Sequence, residues 1–394
     1  MKLQGTHEGE LYATDYRTLY ARTDRERFRE RGTLPRPVGG AAGVAFRVKA
    51  ARPWKPLAER VVGRFPTVNV RRTGQDTLVA SAVRWLYVST DGGASWTVTH
   101  RLPESSGPMG VLPSAFCERN GTLYAGEYPL ADDATPRVLR SIDGGVSWEP
   151  HLSLPGVRHV HAVEVDPYTG DLWVTTGDRG AECRIGRVRD GEFDPVGSGS
   201  QRWRAVQPVF TPDGLLWGVD SVFAESNALF VLPRTEFDRP DPTPRRVAEA
   251  DGSVYYGASV TVDGDHWVAF STAVEPGTDR TGPSGQQFDR RGTAAVVAAS
   301  SATDYTEWHE LAAYEKRAVP ADRRPIRDTV PSASAYVFLS ADDRSGLLIN
   351  PYNTATGDGR LFRFSPRYFA AIDSSSRRRD ATDPPSGARE ITTP

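Results

Sequence analysis

Two octapeptides in this chain share the pattern S-x-D-x-G-x-S-W: Ser89-Thr90-Asp91-Gly92-Gly93-Ala94-Ser95-Trp96 and, 52 residues later, Ser141-Ile142-Asp143-Gly144-Gly145-Val146-Ser147-Trp148. Each follows a strand-like run, Arg84–Val88 or Arg137–Arg140. Asp accepts backbone N–H groups inside a tight turn, Gly supplies a left-handed backbone, and Trp needs a neighbouring layer to pack on. A turn that recurs is explained by folding, so Asp91 and Asp143 are assigned structural roles. Asp304-Tyr305-Thr306-Glu307-Trp308 reads as a third, decayed copy, one residue short between Asp and Trp.

A second recurrence sets the repeat length. A turn followed by a strand beginning Leu-Trp or Leu-Tyr occurs at Asn120-Gly121-Thr122-Leu123-Tyr124, Gly170-Asp171-Leu172-Trp173 and Asp213-Gly214-Leu215-Leu216-Trp217, and more loosely at 263–267 and 345–348. The first four are spaced by roughly 45–50 residues, the length of one four-stranded propeller blade. Strand groups are expected near 9–60, 64–103, 108–153, 158–198, 203–248, 253–312 and 331–366, giving seven blades, with six as the alternative. The first group lacks an evident innermost strand and the last an outer one, so closure by pairing N-terminal with C-terminal strands is expected. The one helical stretch is Asp24–Arg31. Residues 275–291 form a long polar insertion, functional or disordered. Residues 1–370 are taken as one propeller domain and 371–394 as a disordered tail.

The two octapeptides resemble the Asp-box of the sialidase and BNR-repeat superfamily, a turn between the third and fourth strands of a blade. The resemblance implies an all-β, sialidase-like β-propeller. Sialidases carry an Arg-Ile-Pro type motif near the start of the propeller; here that segment reads Tyr16-Arg17-Thr18-Leu19-Tyr20, so a conventional sialidase is not expected. Other members of the superfamily are glycosidases, polysaccharide lyases and proteins without catalysis.

In a propeller, second strands end and first strands begin at one face, with the Asp-box turns on the other. Asp15, Glu127, Asp178 and Asp220 close second strands in four groups, a carboxylate ring suited to acid–base work or to holding a cation. Their alternative role is capping turns or pairing with adjacent Arg. Arg158-His159-Val160-His161 opens a first strand, and the period of two puts His159 and His161 on one side, a catalytic or metal-ligating arrangement. A hydrogen-bonded pair in a strand is the plainer reading. Gln201-Arg202-Trp203-Arg204 and Val254-Tyr255-Tyr256 open the next two. Asp178, Asp220, His159, His161 and Tyr256 are therefore the candidate catalytic residues, and Glu127, Arg184, Gln201, Arg204 and Asp15 the candidate substrate contacts. His159 and His161 are also candidate ligands of a divalent cation. Asp166-Pro167-Tyr168-Thr169-Gly170-Asp171 has a calcium-loop composition but reads as a hairpin, as does Asn120-Gly121-Thr122.

The function expected is glycoside hydrolysis of an acidic, uronic-acid-type glycan. The alternatives are a lyase, with His159 or Tyr256 as base, and a non-catalytic glycan- or protein-binding propeller. Acidic and basic residues nearly cancel, 50 against 48, which argues against a nucleic-acid partner. No apolar run approaches the roughly 20 residues of a membrane span. Two cysteines, Cys117 and Cys183, make no disulfide framework. The N-terminus lacks an apolar signal core, so a cytoplasmic chain is expected, or a secreted one already processed.

Overall fold

The computed structural model describes all residues except 8, 24–26, 37–53, 66–67, 74–76, 104–109, 222–226, 276–291, 324–331, 373–386 and 394. Among the described residues, strands β1–β28 form seven antiparallel four-stranded sheets, each built from four consecutive strands. The chain is a seven-bladed β-propeller, so the larger of the two expected blade counts holds.

Blade 1 is β1 (Lys2–His7), β2 (Glu10–Asp15), β3 (Thr18–Thr23) and β4 (Arg29–Thr33). Blade 2 is β5 (Val68–Arg72), β6 (Leu78–Ala82), β7 (Trp85–Ser89) and β8 (Thr97–Arg101). Blade 3 is β9 (Phe116–Arg119), β10 (Thr122–Gly126), β11 (Arg137–Ser141) and β12 (Glu149–Ser153). Blade 4 is β13 (His159–Val165), β14 (Leu172–Gly177), β15 (Arg184–Arg189) and β16 (Glu192–Ser198). Blade 5 is β17 (Val209–Phe210), β18 (Gly214–Gly218), β19 (Asn227–Pro233) and β20 (Arg245–Ala250). Blade 6 is β21 (Ser253–Val262), β22 (Asp265–Ala273), β23 (Thr293–Ser300) and β24 (His309–Glu315). Blade 7 is β25 (Tyr336–Asp342), β26 (Gly346–Tyr352), β27 (Leu361–Phe364) and β28 (Arg389–Ile391).

Each second strand lies between the faces of two neighbouring blades, and so reads as an apolar run without alternation: all of Leu172–Gly177, Gly214–Gly218 and Gly346–Tyr352 is buried. Fourth strands such as Glu149–Ser153 face solvent and keep their polar residues, whereas that of blade 6 is buried over Leu311–Tyr314. Apolar side chains fill the gap between successive blades, for example Trp173, Trp203 and Trp217 between blades 4 and 5 and Leu3, Ala13, Phe338 and Leu348 between blades 1 and 7.

Several expectations are corrected. Blade 1 begins at Lys2 and ends at Thr33, and a helix α1 (Trp54–Val62) follows it. Arg29–Arg31, placed in the expected helix, belong to β4. The ring closes without strand exchange: β1 lies beside β25, with Leu3 N donating to Asn350 Oδ1 at 2.9 Å and Thr6 N to Ser340 Oγ at 3.3 Å. The chain after 370 returns to the propeller, where Arg389–Ile391 pairs with β27 as the outer strand of blade 7. The insertion beyond Glu275 and the tail segment 373–386 lie outside the described residues.

The two octapeptide turns join β7 to β8 and β11 to β12 and are built alike. Asp91 Oδ1 accepts from Ser89 Oγ (2.8 Å) and Ser95 N (2.9 Å), and Asp143 Oδ1 from Ser141 Oγ (2.7 Å) and Ser147 N (2.9 Å). These bonds, the Ser95 hydroxyl first, hold the Asp91 carboxyl down at about 2. Gly93 and Gly145 have φ of 96°, and a Cβ on either would strike Leu19 or Val79 of the preceding blade. Trp96 and Trp148 donate Nε1 to Gly93 O and Gly145 O, and Trp308 donates in the same way to Tyr305 O in the β23–β24 connection. There the resemblance ends, since the Asp304 carboxylate pairs with Arg245 at 2.8 Å.

Candidate functional site

The strand directions put first-strand starts and second-strand ends on one face and the octapeptide turns on the other. Asp15, Glu127, Asp178 and Asp220 all follow or close second strands on the first face, but only two of them meet. In blades 3, 4 and 5 a glycine at the end of the second strand lets the next element approach. A Cβ on Gly126 would collide with Val160, one on Gly218 with Val254, and one on Gly177 would lie 3.1 Å from His161 Cε1 and 3.2 Å from Arg204 Cγ.

Asp178 is the hub. Its Oδ1 lies 2.9 Å from Arg204 Nη2 and 3.8 Å from His161 Nε2, and its Oδ2 lies 3.1 Å from both Arg158 Nη1 and His159 Nε2. Burial pushes the carboxyl pKa up, but His159 and the Arg204 guanidinium outweigh it and hold the group well below the ordinary range. The Asp178 carbonyl accepts from Arg204 Nη1 at 2.9 Å and Gln201 Nε2 at 2.7 Å. Arg204 Nη2 also reaches Asp220 Oδ2 at 3.2 Å, so one guanidinium joins two carboxylates. At Asp220 burial dominates, opposed by Arg204 and assisted by Glu275, and the carboxyl is raised.

Both histidine rings are fixed by backbone. His159 Nδ1 is 3.1 Å from Pro129 O and His161 Nδ1 is 3.2 Å from Ala205 O. A carbonyl only accepts, so both Nδ1 atoms carry the proton. Burial, with help from His159 and Arg204, pushes the His161 pKa well down, leaving a neutral ring with an Nε2 lone pair facing Asp178. Tyr128 stacks on His159 with ring centres 3.8 Å apart. His159, His161 and Asp178 offer three potential ligand atoms within 4.8 Å of one another.

The remaining candidates lie elsewhere. Glu127 is bound by Arg137, whose Nε (2.9 Å), Nη2 (2.6 Å) and backbone N (3.0 Å) all donate to it. Asp15 lines a small depression with Met1, Arg64 and Tyr352. Arg184 opens β15 and lies against Gly156. Asp166 is a buried hairpin acid, its Oδ1 accepting from Tyr168 N and from Arg234 Nη2 at 2.9 Å. Tyr256 lines the central cavity of about 340 Å³ and packs on Phe338 and Tyr336. Glu164 of the innermost strand β13 is pushed up to about 7 by burial, against Arg71 and Gln207.

Residues not chosen as site candidates from sequence complete the cluster: Arg158, Tyr128, Tyr255 and Glu275. Tyr255 OH donates to Glu275 Oε1 at 2.9 Å, and Ser253 Oγ approaches the same oxygen at 3.4 Å. A β-bulge between Val254 and Tyr256 makes Tyr255 the extra residue of β21, matching His161 in β13, where the bulge lies between Val160 and Ala162.

No family model matches this chain and no curated protein matches it. Among solved structures it is similar to a puromycin-hydrolyzing peptidase of Mycobacterium tuberculosis, with TM-score 0.53 and 14% identity over 93% of this chain and 51% of that one. It is also similar to an ancestral GH74 enzyme, with TM-score 0.51 and 12% identity over 92% of this chain and 44% of that one. The chain thus spans about half the length of these two proteins, and at such identities the likeness shows the propeller fold. Among the described residues, no helix is long and apolar enough to cross a membrane.

Proposed function

We propose that the chain is a carbohydrate-active hydrolase working on an acidic glycan at the blade 4–blade 5 cluster. One observation carries this reading: Asp178 and Asp220, on neighbouring blades, share the Arg204 guanidinium yet are driven to opposite protonation behaviour. Two carboxyls separated in this way provide an ionised group and a proton donor, the division of labour that glycosidic cleavage requires. Asp220 is assigned as the donor and Asp178 as the ionised partner. Arg204, engaged by both acids, is not available to a substrate carboxylate. Arg158, 31% exposed beside Asp178, takes that role. The GH74 likeness supports a sugar substrate only as an analogy of fold.

The test is incubation of the chain with uronate-containing and neutral oligosaccharides, following new reducing ends and the ultraviolet absorbance of unsaturated uronate together. Reducing ends without absorbance, falling at least about 100-fold in a folded Asp220→Asn variant, are expected. Absorbance would replace the reading by elimination with a histidine base. Saturable glycan binding without turnover would replace it by a binding propeller.

A further inference from the structure

We propose that His159, His161 and Asp178 bind a divalent transition-metal cation of the zinc type. A buried side-chain atom of the cluster is unsatisfied. His159 Nε2 is buried and has no hydrogen-bond partner, although Asp178 Oδ2 is 3.1 Å away. With Nδ1 turned to the Pro129 carbonyl, Nε2 is the ring nitrogen left to face the carboxylate, and a metal ion between them would be held by both atoms at once.

His161 repeats the arrangement, with Nδ1 on Ala205 O and Nε2 3.8 Å from Asp178 Oδ1. Atoms bound at about 2.0–2.2 Å to one ion lie roughly 3–4 Å apart, the range of these two separations. Both rings have the carbonyl partner that orients metal-binding histidines. They are held firmly, His159 by the Tyr128 stack and His161 by the Ala205 carbonyl and its burial. Two neutral imidazoles and one carboxylate are a borderline-soft donor set, which favours zinc over calcium or magnesium. The charges facing the site are Asp178, Asp220, Arg204 and Arg158. Arg204 is shared with the buried Asp220, whereas the second partner of Arg158 is the exposed Asp132 at 3.6 Å, so Arg158 is the less compensated cation that opposes a metal. The inference concerns binding by these three side chains and does not rest on the hydrolase reading.

The experiment is isothermal titration of the chelator-stripped full chain with zinc sulfate at neutral pH, repeated for His159→Gln and for Arg158→Gln, with circular dichroism to verify folding. One zinc per chain is expected, weakened at least about 10-fold by His159→Gln. Arg158→Gln, which removes the opposing charge from a partly exposed position, is expected to tighten binding about fivefold or more. A purely structural ion-pair network would show no such gain. Absence of one-to-one uptake overturns the proposal, as does equal uptake by the wild type and a folded His159→Gln. If His159→Gln does not fold, the Arg158→Gln titration decides, and unchanged or weaker zinc binding there overturns it.

Discussion

Asp178→Asn tests whether the cluster is held together as described. The substitution keeps the side-chain shape and the backbone carbonyl used by Gln201 and Arg204, but removes the charge that Arg204 meets at 2.9 Å and Arg158 at 3.1 Å. Removing one partner of a buried ion pair costs about 3–5 kcal/mol. Arg204 keeps Asp220, and Arg158 is 31% exposed, so the lower end, about 3 kcal/mol, is expected. The pH dependence follows from the depressed pKa. In the unfolded chain Asp178 titrates near the ordinary value of about 3.9, and in the folded chain below it. Its stabilising contribution is therefore complete at neutral pH and is lost as the pH falls below about 4 toward the folded value. Urea unfolding of both proteins with chelator present should show a gap of about 3 kcal/mol at pH 7, narrowing by about 1 kcal/mol at pH 3. A gap under about 1 kcal/mol at pH 7, or one that does not change with pH, would refute this account of the network.

Other perturbations probe the scaffold and the channel. Gly126→Ala places a Cβ in collision with Val160 and should cost about 1–3 kcal/mol, part of it recovered by adding Val160→Ala; a strictly additive double mutant would contradict the close approach. Ser141→Ala removes a buried hydroxyl that donates to Asp143 and accepts from Gly145 N at 2.8 Å, and should lower stability by about 1–2 kcal/mol in thermal unfolding without changing zinc affinity on the opposite face. Glu164, pushed up to about 7 by burial, holds a proton in the folded chain that the unfolded chain gives up near its ordinary pKa. Stability should thus fall as pH rises from about 4 toward 7, and Glu164→Gln should remove that slope and gain about 1–3 kcal/mol at pH 8, the range allowing for its partial access to the channel. A slope that persists in the variant would assign the titration to another group.

The propeller was legible because its second strands are sandwiched between blades and read as uninterrupted apolar runs after Gly-containing turns. The ends of the ring were not. Innermost strand β1, Lys-Leu-Gln-Gly-Thr-His, lines a polar central cavity and so carries no core signature. Outer strand β28, Arg-Glu-Ile, is one of the solvent-facing fourth strands, where composition resembles that of a tail. At the site, Asp178, Asp220, His159, His161 and Arg204 come together because alternating strand direction assigns their positions to one face. Arg158 and Tyr128 adjoin the residues singled out there, and their roles depend on which way each side chain turns.

Tyr255, and not the Tyr256 singled out from sequence, is the residue of β21 that corresponds to His161 of β13, and at both positions a bulge interrupts the pleat. Blades 1, 4 and 6 have such bulges at corresponding places in their first strands, with Gln4, His161 and Tyr255 as the extra residues. A bulge forfeits part of the ladder and redirects one side chain. In blade 1 the redirected Gln4 bridges to blade 2, accepting from Val70 N at 2.9 Å and donating to Val68 O at 3.1 Å. In blades 4 and 6 the redirected His161 and Tyr255 face carboxylates instead, Asp178 and Glu275. The same backbone device therefore ties blades together at one position and assembles titratable groups at two others. What differs is the residue placed on the bulge, so the chemistry of this face is set by side-chain identity on a repeated backbone irregularity.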